Sequence, residues 1–254
     1  MGLFDIFKKK DCDICGGKIG LLGNRKLEDG NMCKECASKL SPWFSDRRSS
    51  TIAEINEQLA YREENRAAVE AFHTTRTLGE DMKVLLDEDA GKFMVTRARN
   101  LAEANPDVIE LSAVTGCHLD IDESTHEAMR EDKDGNSVSY NPPRYTYSYD
   151  FNMVIYVNHP YFDEIRFRLN SSDVETNPDN PVAAFRKPDP QKNADYLEYE
   201  AMGKEIKEAL TNVQKKIRSE AEAPKAAVTC PYCGATTTPD ASGCCEFCGG
   251  AVNG

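Results

Sequence analysis

The stretch YTYSYDFNMVIYVNHPYFDEIRFRL, residues 145–169, decides the reading of this chain. Tyr145, Tyr147, Tyr149, Phe151, Met153, Ile155 and Val157 are large and apolar, and Thr146, Ser148, Asp150 and Asn152 fall between them. A period of two held this long is the pattern of a strand with one buried face. Asn158-His159-Pro160 breaks it. Ile165, Phe167 and Leu169 then alternate with Glu164, Arg166 and Arg168, which predicts an antiparallel return strand.

Upstream, the apolar runs are short. Residues 84–86 and 93–95 flank Asp87–Gly91 as a predicted hairpin with glycine at the turn, and 108–113 and 117–121 give two more strands. In the last of these Cys117 shares parity with Leu119 and Ile121, so it reads as a buried thiol rather than a nucleophile. His118 and His126 with Asp120 and Asp122 have no recurring ligand spacing and read as a polar strand face. Asp132, Asp134 and Asn136 imitate a calcium loop, but Ser137 stands where glycine is needed and Pro143 where glutamate is needed, so this is a polar hairpin turn. Downstream, Pro178, Pro181, Pro188 and Pro190 mark 171–192 as a long irregular connection. Tyr199, Met202, Ile206, Leu210, Val213 and Ile217 then recur at helical spacing, an amphipathic helix that covers the sheet. The order of strands closed by a C-terminal helix resembles the pleckstrin-homology or GRAM architecture, a likeness of element order with no motif behind it. Such folds bind lipid headgroups, peptides or proteins, so the order does not select a ligand.

Nine of the ten cysteines lie outside this middle region, at its two ends. Cys12-Asp-Ile-Cys15-Gly16 is followed after seventeen residues by Cys33-Lys-Glu-Cys36. Two residues between thiols let one tight turn present both sulfurs to one ion, and two such turns give the tetrahedral sulfur shell that Zn²⁺ prefers. Four thiolates also suit iron in a rubredoxin-like site. No second redox feature accompanies them, so zinc leads. Gly17, Gly20 and Gly23 lack the spacing and frame of a phosphate loop and read as ribbon turns. At the other end stand Cys230-Pro-Tyr-Cys233-Gly234 and Cys245-Glu-Phe-Cys248-Gly249, similar to the short zinc ribbons appended to many bacterial multidomain proteins. Five thiols compete there for four places, and only Cys245 keeps the two-residue spacing to Cys248, which leaves Cys244 as the spare. The expected cofactor is two Zn²⁺ ions.

The first knuckles with Lys18-Ile-Gly-Leu-Leu-Gly-Asn-Arg-Lys-Leu27, Asp29-Gly30 and Leu40-Ser-Pro resemble, over about residues 10–50, the N-terminal ribbon of a bacterial family catalogued only as a domain of unknown function. The resemblance implies a zinc-binding module and, in many members, a following β-rich domain. It implies no activity. Thr51-Ile-Ala-Glu54 is a capping box, and Ile52, Ile55 and Leu59 begin a helix expected to run to about residue 77 and to carry the ribbon away from the middle domain. Its Glu63, Glu64 and Arg66 read as a solvated face.

The resulting expectation is an α+β multidomain chain. It has an amphipathic leader (1–10), a zinc ribbon (11–48), a helical connector (50–78), a pleckstrin-homology-like antiparallel β domain with a C-terminal helix (80–219), a linker (220–228) and a second zinc ribbon (229–250). The net charge of −12 is uneven: residues 1–50 carry ten Lys/Arg against seven Asp/Glu, and residues 51–223 carry twenty against thirty-four. The acidic middle argues against nucleic acid as a partner. A ribbon reading nucleic acid is the alternative it weakens. In the leader, Leu3, Phe4, Ile6 and Phe7 stand beside Lys8, Lys9 and Lys10, the composition of an interfacial anchor as well as of an ordinary packed start. Ile6 stands where myristoylation wants Ser or Thr. With no long apolar run and no signal-peptide core, a cytoplasmic location with peripheral membrane contact as an option is expected, and in a reducing compartment paired cysteines are metal ligands rather than disulfides. The functional expectation is a non-enzymatic adaptor that binds protein or peptide partners, with no catalytic residues.

Overall fold

The computed structural model describes residues 10–176, 187–222, 227–238 and 243–252, with the backbone alone for 213–222. It divides into two compact units, one reaching to Gln214 and one from Lys215 onward.

The first unit opens with two minimal hairpins. β1 (Lys10–Asp11) pairs with β2 (Lys18–Ile19), and β3 (Arg25–Lys26) with β4 (Asn31–Met32), before the single-turn α1 (Lys34–Ala37). Two-residue strands carry almost no side-chain surface, so their core is assembled around the sulfurs. Cys12, Cys33 and Cys36 are buried with Ile19, Leu27, Met32, Leu40 and Ile55, and Ile52 and Leu59 pack on them. The last three belong to α2 (Ile52–Ala71), whose Thr51–Glu54 capping box forms as expected. Asp29 adds a further acceptor, taking the Ile52 amide at 2.8 Å.

α2 stops at Ala71, short of the expected residue 77. The Asp87 carboxylate accepts the His73 amide at 2.9 Å, and the chain turns into β5 (Arg76–Leu78). Nor does α2 carry the ribbon away from the strands. Its buried side chains include Gln58, Arg62 and Asn65, and Arg62 forms a buried ion pair with Asp107 at 2.6 Å. Arg62 also donates to the carbonyls of Asn105 and Lys39, while Ser41 donates to Asp107 at 2.8 Å. Ribbon, helix and the 105–107 loop are thus joined by one charge pair.

β5 continues into β6 (Lys83–Asp87), β7 (Lys92–Thr96), the short α3 (Leu101–Ala104) and β8 (Ile109–Glu110), a four-stranded antiparallel meander. The predicted hairpin at 87–91 is present, with Gly91 at φ 67°. The strand expected over 108–113 is reduced to β8, and residues 111–113 form a 3₁₀ turn.

The second sheet holds β9 (Val114–Glu131), β10 (Ser137–Val157), β11 (Glu164–Arg168) and β12 (Val174–Thr176), with β10 paired to the other three. The predicted hairpin is the β10–β11 pair, in register from Asn152↔Arg168 to Tyr156↔Glu164. β12 falls in the stretch expected to be irregular; three residues are too few to show a period, yet Val174 and Thr176 are buried against β10. Asn170 finishes the ladder, accepting the Phe151 amide at 2.8 Å and donating to Tyr149 O.

α4 (Ala194–Glu222) covers this sheet. Tyr196 meets Tyr149 and Phe151 edge-on, each at 5.0 Å between ring centroids. Gly203 lies against Leu119 so closely that a Cβ would sit 2.7 Å from its methyl carbons. Ile206 and Leu210 complete the buried stripe, which starts at Tyr196 rather than Tyr199. Val213 and Ile217 lie outside the described side chains. On the parity of Tyr149 every residue to Val157 is buried, and Val154 on the other face is buried as well; before Tyr149 the pattern fails, Tyr145 being exposed and Tyr147 half-buried. The α4 rings meet β10 at Tyr149 and Phe151, and beyond them β9 and β10 form a ribbon whose outer strands, among the described residues, pair only with each other. Cys117 is buried and its thiol pushed up to about 11 by burial, as its parity implied.

The second unit contains β13 (Val228–Thr229) paired with β14 (Thr236–Thr237), and a single bridge between Cys244 and Ala251. Its core is Cys230, Cys245 and Val252 with Val228 packed on them. Along the chain this is the α+β arrangement expected: small antiparallel sheets followed by a helix, between two four-cysteine modules.

Phe151 is wholly buried and Thr146 half-buried on the other parity. Phe151→Ala should lower the unfolding free energy by about 3–5 kcal/mol, and Thr146→Ala by less than about 1 kcal/mol. Denaturant titration of both measures it; equal losses would contradict the assignment of faces.

Candidate functional site

Three of the four cysteine turns share one geometry. In each, the first cysteine's amide donates to the carbonyl five residues on: Cys12 N–H to Gly17 O, Cys230 N–H to Ala235 O and Cys245 N–H to Gly250 O, at 2.8–2.9 Å. The glycine after the second cysteine returns its own amide to the first cysteine's carbonyl, from Gly16, Gly234 and Gly249 at φ 70–71°. Only a residue without Cβ adopts that backbone freely. The fourth turn is built differently: Cys33 is the N-cap of α1, and its sulfur accepts the Cys36 amide at 3.3 Å.

These turns bring the sulfurs together. Cys12, Cys15, Cys33 and Cys36 form one group and Cys230, Cys233, Cys245 and Cys248 the other, with all ligand atoms of a group within 4.8 Å of one another. Cys15 Sγ lies 3.9 Å from Cys33 Sγ, Cys230 Sγ 3.5 Å from Cys248 Sγ, and Cys233 Sγ 3.8 Å from Cys245 Sγ. A tetrahedral ion with metal–sulfur bonds of about 2.3 Å has edges of about 3.8 Å, whereas a disulfide would draw sulfurs to about 2.05 Å. The donor set therefore fits a metal and not a cross-link. Cys244 is outside the group, as the spacing argument held.

The electrostatics point the same way. Burial works against ionising Cys12, but amides of Cys15, Cys33 and Ile14 outweigh it and hold the thiol down to about 7. In the second group burial likewise opposes ionisation of Cys245, and the Phe247 and Cys248 amides bring it to about 6. Cys36 is pushed the other way, by burial and by Cys33, Cys15 and Cys12 beside it. At Cys248 the Gly250 amide lowers the pKa, but Cys230, Cys233 and burial carry it up to about 12. Thiols packed this closely cannot all carry charge without a cation among them.

Of the remaining sequence candidates, Leu3, Phe4, Ile6, Phe7, Lys8 and Lys9 lie outside the described residues. Lys10 opens β1, exposed, with Nζ donating to Asn31 Oδ1 at 3.3 Å. His118, His126, Asp120 and Asp122 do not gather: Asp120 pairs with Arg166 at 3.1 Å, and Asp122 accepts from Asn152 at 2.9 Å. Asp132 accepts the amides of Asp134 and Asn136, a turn cap rather than a calcium loop. Among the described residues no helix is long and apolar enough to cross a membrane.

Residues 10–58 match a domain of unknown function, DUF4428. The match takes in the first four-cysteine group, within the 10–50 stretch that carries the resemblance, and extends into the opening turns of α2. No curated protein and no solved structure matches the chain.

A cleft of about 580 Å³ escaped the sequence reading. It runs between the 44–50 segment, the first turns of α2 and the 159–163 loop, and Asp46, Glu54, Glu57 and Asp163 line it with His159, Tyr161 and Phe44; no lysine or arginine does. Glu54, Glu57, Gln58 and Tyr61 share one helix face. Gln58 is wholly buried there with both amide atoms unpartnered. At the end of the cleft His159 stacks on Phe162 at 4.0 Å, and its Nε2 lies 3.2 Å from Tyr61 Oη, which donates to Asp107 at 3.2 Å. In sequence Glu54 read as half of a capping box, and nothing there tied it or Glu57 to a turn a hundred residues away.

Burial lowers the His159 pKa, and Asp107 only partly opposes it. The unfolded chain, with an ordinary imidazole near 6.5, therefore takes up the proton first. Stability should be unaffected by His159 above about pH 6.5 and should fall as pH drops from there toward the depressed native value. Urea midpoints at pH 7.5 and 5.5 should differ less in His159→Gln than in the unaltered chain. An undiminished difference would mean that the imidazole is not the group responsible.

Proposed function

We propose that the chain is a non-enzymatic adaptor in which each four-cysteine module holds one structural Zn²⁺ and the acidic cleft receives a basic segment of a protein or peptide partner. The observation that carries the reading is closure of both donor sets by four sulfurs. A catalytic zinc keeps a position for water or substrate, and a structural one does not. Bound Zn²⁺ would offset half the charge of the four thiolates and tie together modules too small to stand on their own cores. Cys12, Cys15, Cys33 and Cys36 would hold one ion, and Cys230, Cys233, Cys245 and Cys248 the other. Retention of reduced thiols goes with a cytoplasmic location. The modular division into a ribbon (11–48), a helix that ends at Ala71, a β domain that begins with β5 (Arg76–Leu78) and a second ribbon (229–250) belongs to the same proposal.

Elemental analysis of the purified chain should find two zinc ions. Cys245→Ser should reduce the count to one and Cys244→Ser should leave it at two. Stoichiometric iron, or the opposite behaviour of the two variants, would overturn the ligand assignment.

Carboxylates at four points of the cleft, with no cation among its lining residues, support a partner that presents Lys or Arg. Selection from a displayed random-peptide library against the intact zinc-loaded chain should recover Lys/Arg-rich sequences. Glu57→Gln with Asp163→Asn should lose them while keeping the zinc content. Recovery of the same peptides by that variant would remove the cleft from the proposal.

A further inference from the structure

The reversal between β2 and β3 is a four-residue turn, Gly20-Leu21-Leu22-Gly23, closed by the Gly23 amide on Gly20 O at 3.0 Å. Its two apex residues are leucines, 89% and 88% exposed. No other large apolar side chain among the described residues is as bare. Turn apices ordinarily take Gly, Asn, Asp or Ser, which satisfy the backbone and meet water well. Two adjacent leucines there hold apolar area in solvent with no packing in return.

The surroundings of the apex are basic. Arg25 Nη1 donates to the carbonyl of Leu22 itself at 3.2 Å and to that of Asn24 at 3.3 Å, which fixes a guanidinium at the base of the leucines. Lys10 and Lys18 stand on the β1–β2 pair that carries the turn, and Lys26 follows on β3. The nearby acids are engaged: Asp11 pairs with Lys18 at 3.3 Å and Asp13 accepts the Asn31 amide at 2.6 Å. The strand register adds a second, independent observation. Lys10 lies opposite Ile19 in the antiparallel β1–β2 pair. The chain before Lys10, with Leu3, Phe4, Ile6, Phe7, Lys8 and Lys9 in its sequence, is therefore attached at the strand end next to Gly20, where the leucine apex also lies.

We propose that the Leu21–Leu22 turn is a membrane-inserting tip, which docks the N-terminal ribbon on an anionic lipid bilayer. An apolar apex inside a collar of cations has the arrangement an interfacial anchor needs, the leucines entering the acyl boundary while Arg25 and the lysines meet headgroup phosphates. The charge distribution gives the direction. Residues 1–50 carry ten Lys/Arg against seven Asp/Glu and residues 51–223 twenty against thirty-four, so an anionic surface repels this end of the chain least. This inference is independent of the peptide partner proposed for the cleft.

Co-sedimentation of the intact zinc-loaded chain with vesicles of phosphatidylcholine and phosphatidylserine, at low salt, tests it. Binding should require phosphatidylserine and weaken with added salt. Leu21→Ser with Leu22→Ser, in a chain that keeps residues 1–10, should reduce partitioning by roughly a hundredfold or more, the order expected for withdrawing two leucines from an apolar environment. Both positions are solvent-facing, so zinc content and circular dichroism should be unchanged. Deletion of residues 2–9 measures the leader separately, and the deleted chain should still bind better than one that also carries the serine pair. Partitioning of the serine variant equal to that of the intact chain would overturn the proposal. So would equal binding to neutral vesicles, or binding of the leucine apex to a protein with none to phosphatidylserine vesicles.

Discussion

Burial of the Arg62 guanidinium beside Asp107 constrains the first unit more than any other contact. A cation taken out of water must be neutralised where it lies, and all its donors need acceptors. Asp107 supplies the charge, and the carbonyls of Asn105 and Lys39 take further donors. Those acceptors come from the ribbon's exit and from the loop before β8. The ion pair is satisfied only when ribbon, α2 and that loop occupy their places together. Removing one partner of a pair like this costs about 3–5 kcal/mol, a large share of a domain's total stability.

The same network shapes the cleft. Tyr61 donates to Asp107, and His159 lies against Tyr61, so the charge pair also positions the 159–163 turn opposite Glu54 and Glu57. An acidic surface on a helix flank would by itself be ordinary. Walled by an aromatic turn and the 44–50 segment, it becomes a concave, carboxylate-lined site, the feature on which the proposed basic partner rests.

The two four-cysteine modules solve a different problem. Their strands are two residues long and their cores hold a few apolar side chains each. Hydrophobic burial at that scale does not offset the entropy of ordering the chain. The amide-to-sulfur and glycine-closed turns set the sulfurs at tetrahedral spacing, so a single ion can serve as the core. The first module additionally leans on Ile52, Ile55 and Leu59 of α2. That support leaves its far end free to display Leu21 and Leu22.

What the sequence determined by itself was whatever local chemistry dictates. The cysteine turns were legible because two-residue spacing plus a following glycine is a backbone requirement, satisfied within six residues; the choice of Cys245 over Cys244 followed from it. The capping box at Thr51, the hairpin at 87–91 and the β10–β11 pair were legible for the same reason, since caps, turns and period-two alternation act between near neighbours. Tertiary structure alone decided where cover ended. Tyr145 and Tyr147 continue the alternation of Tyr149, yet α4 reaches only to Tyr149, and sequence parity carries no information about where a partner helix stops. It also decided the partners of Arg62, which reads as one more charge on a polar helix until Asp107, forty-five residues on, is folded against it. The acidic cleft belongs to that second class: Glu57 and His159 are a hundred residues apart in the chain, and only the packing of ribbon, helix and second sheet makes them one site.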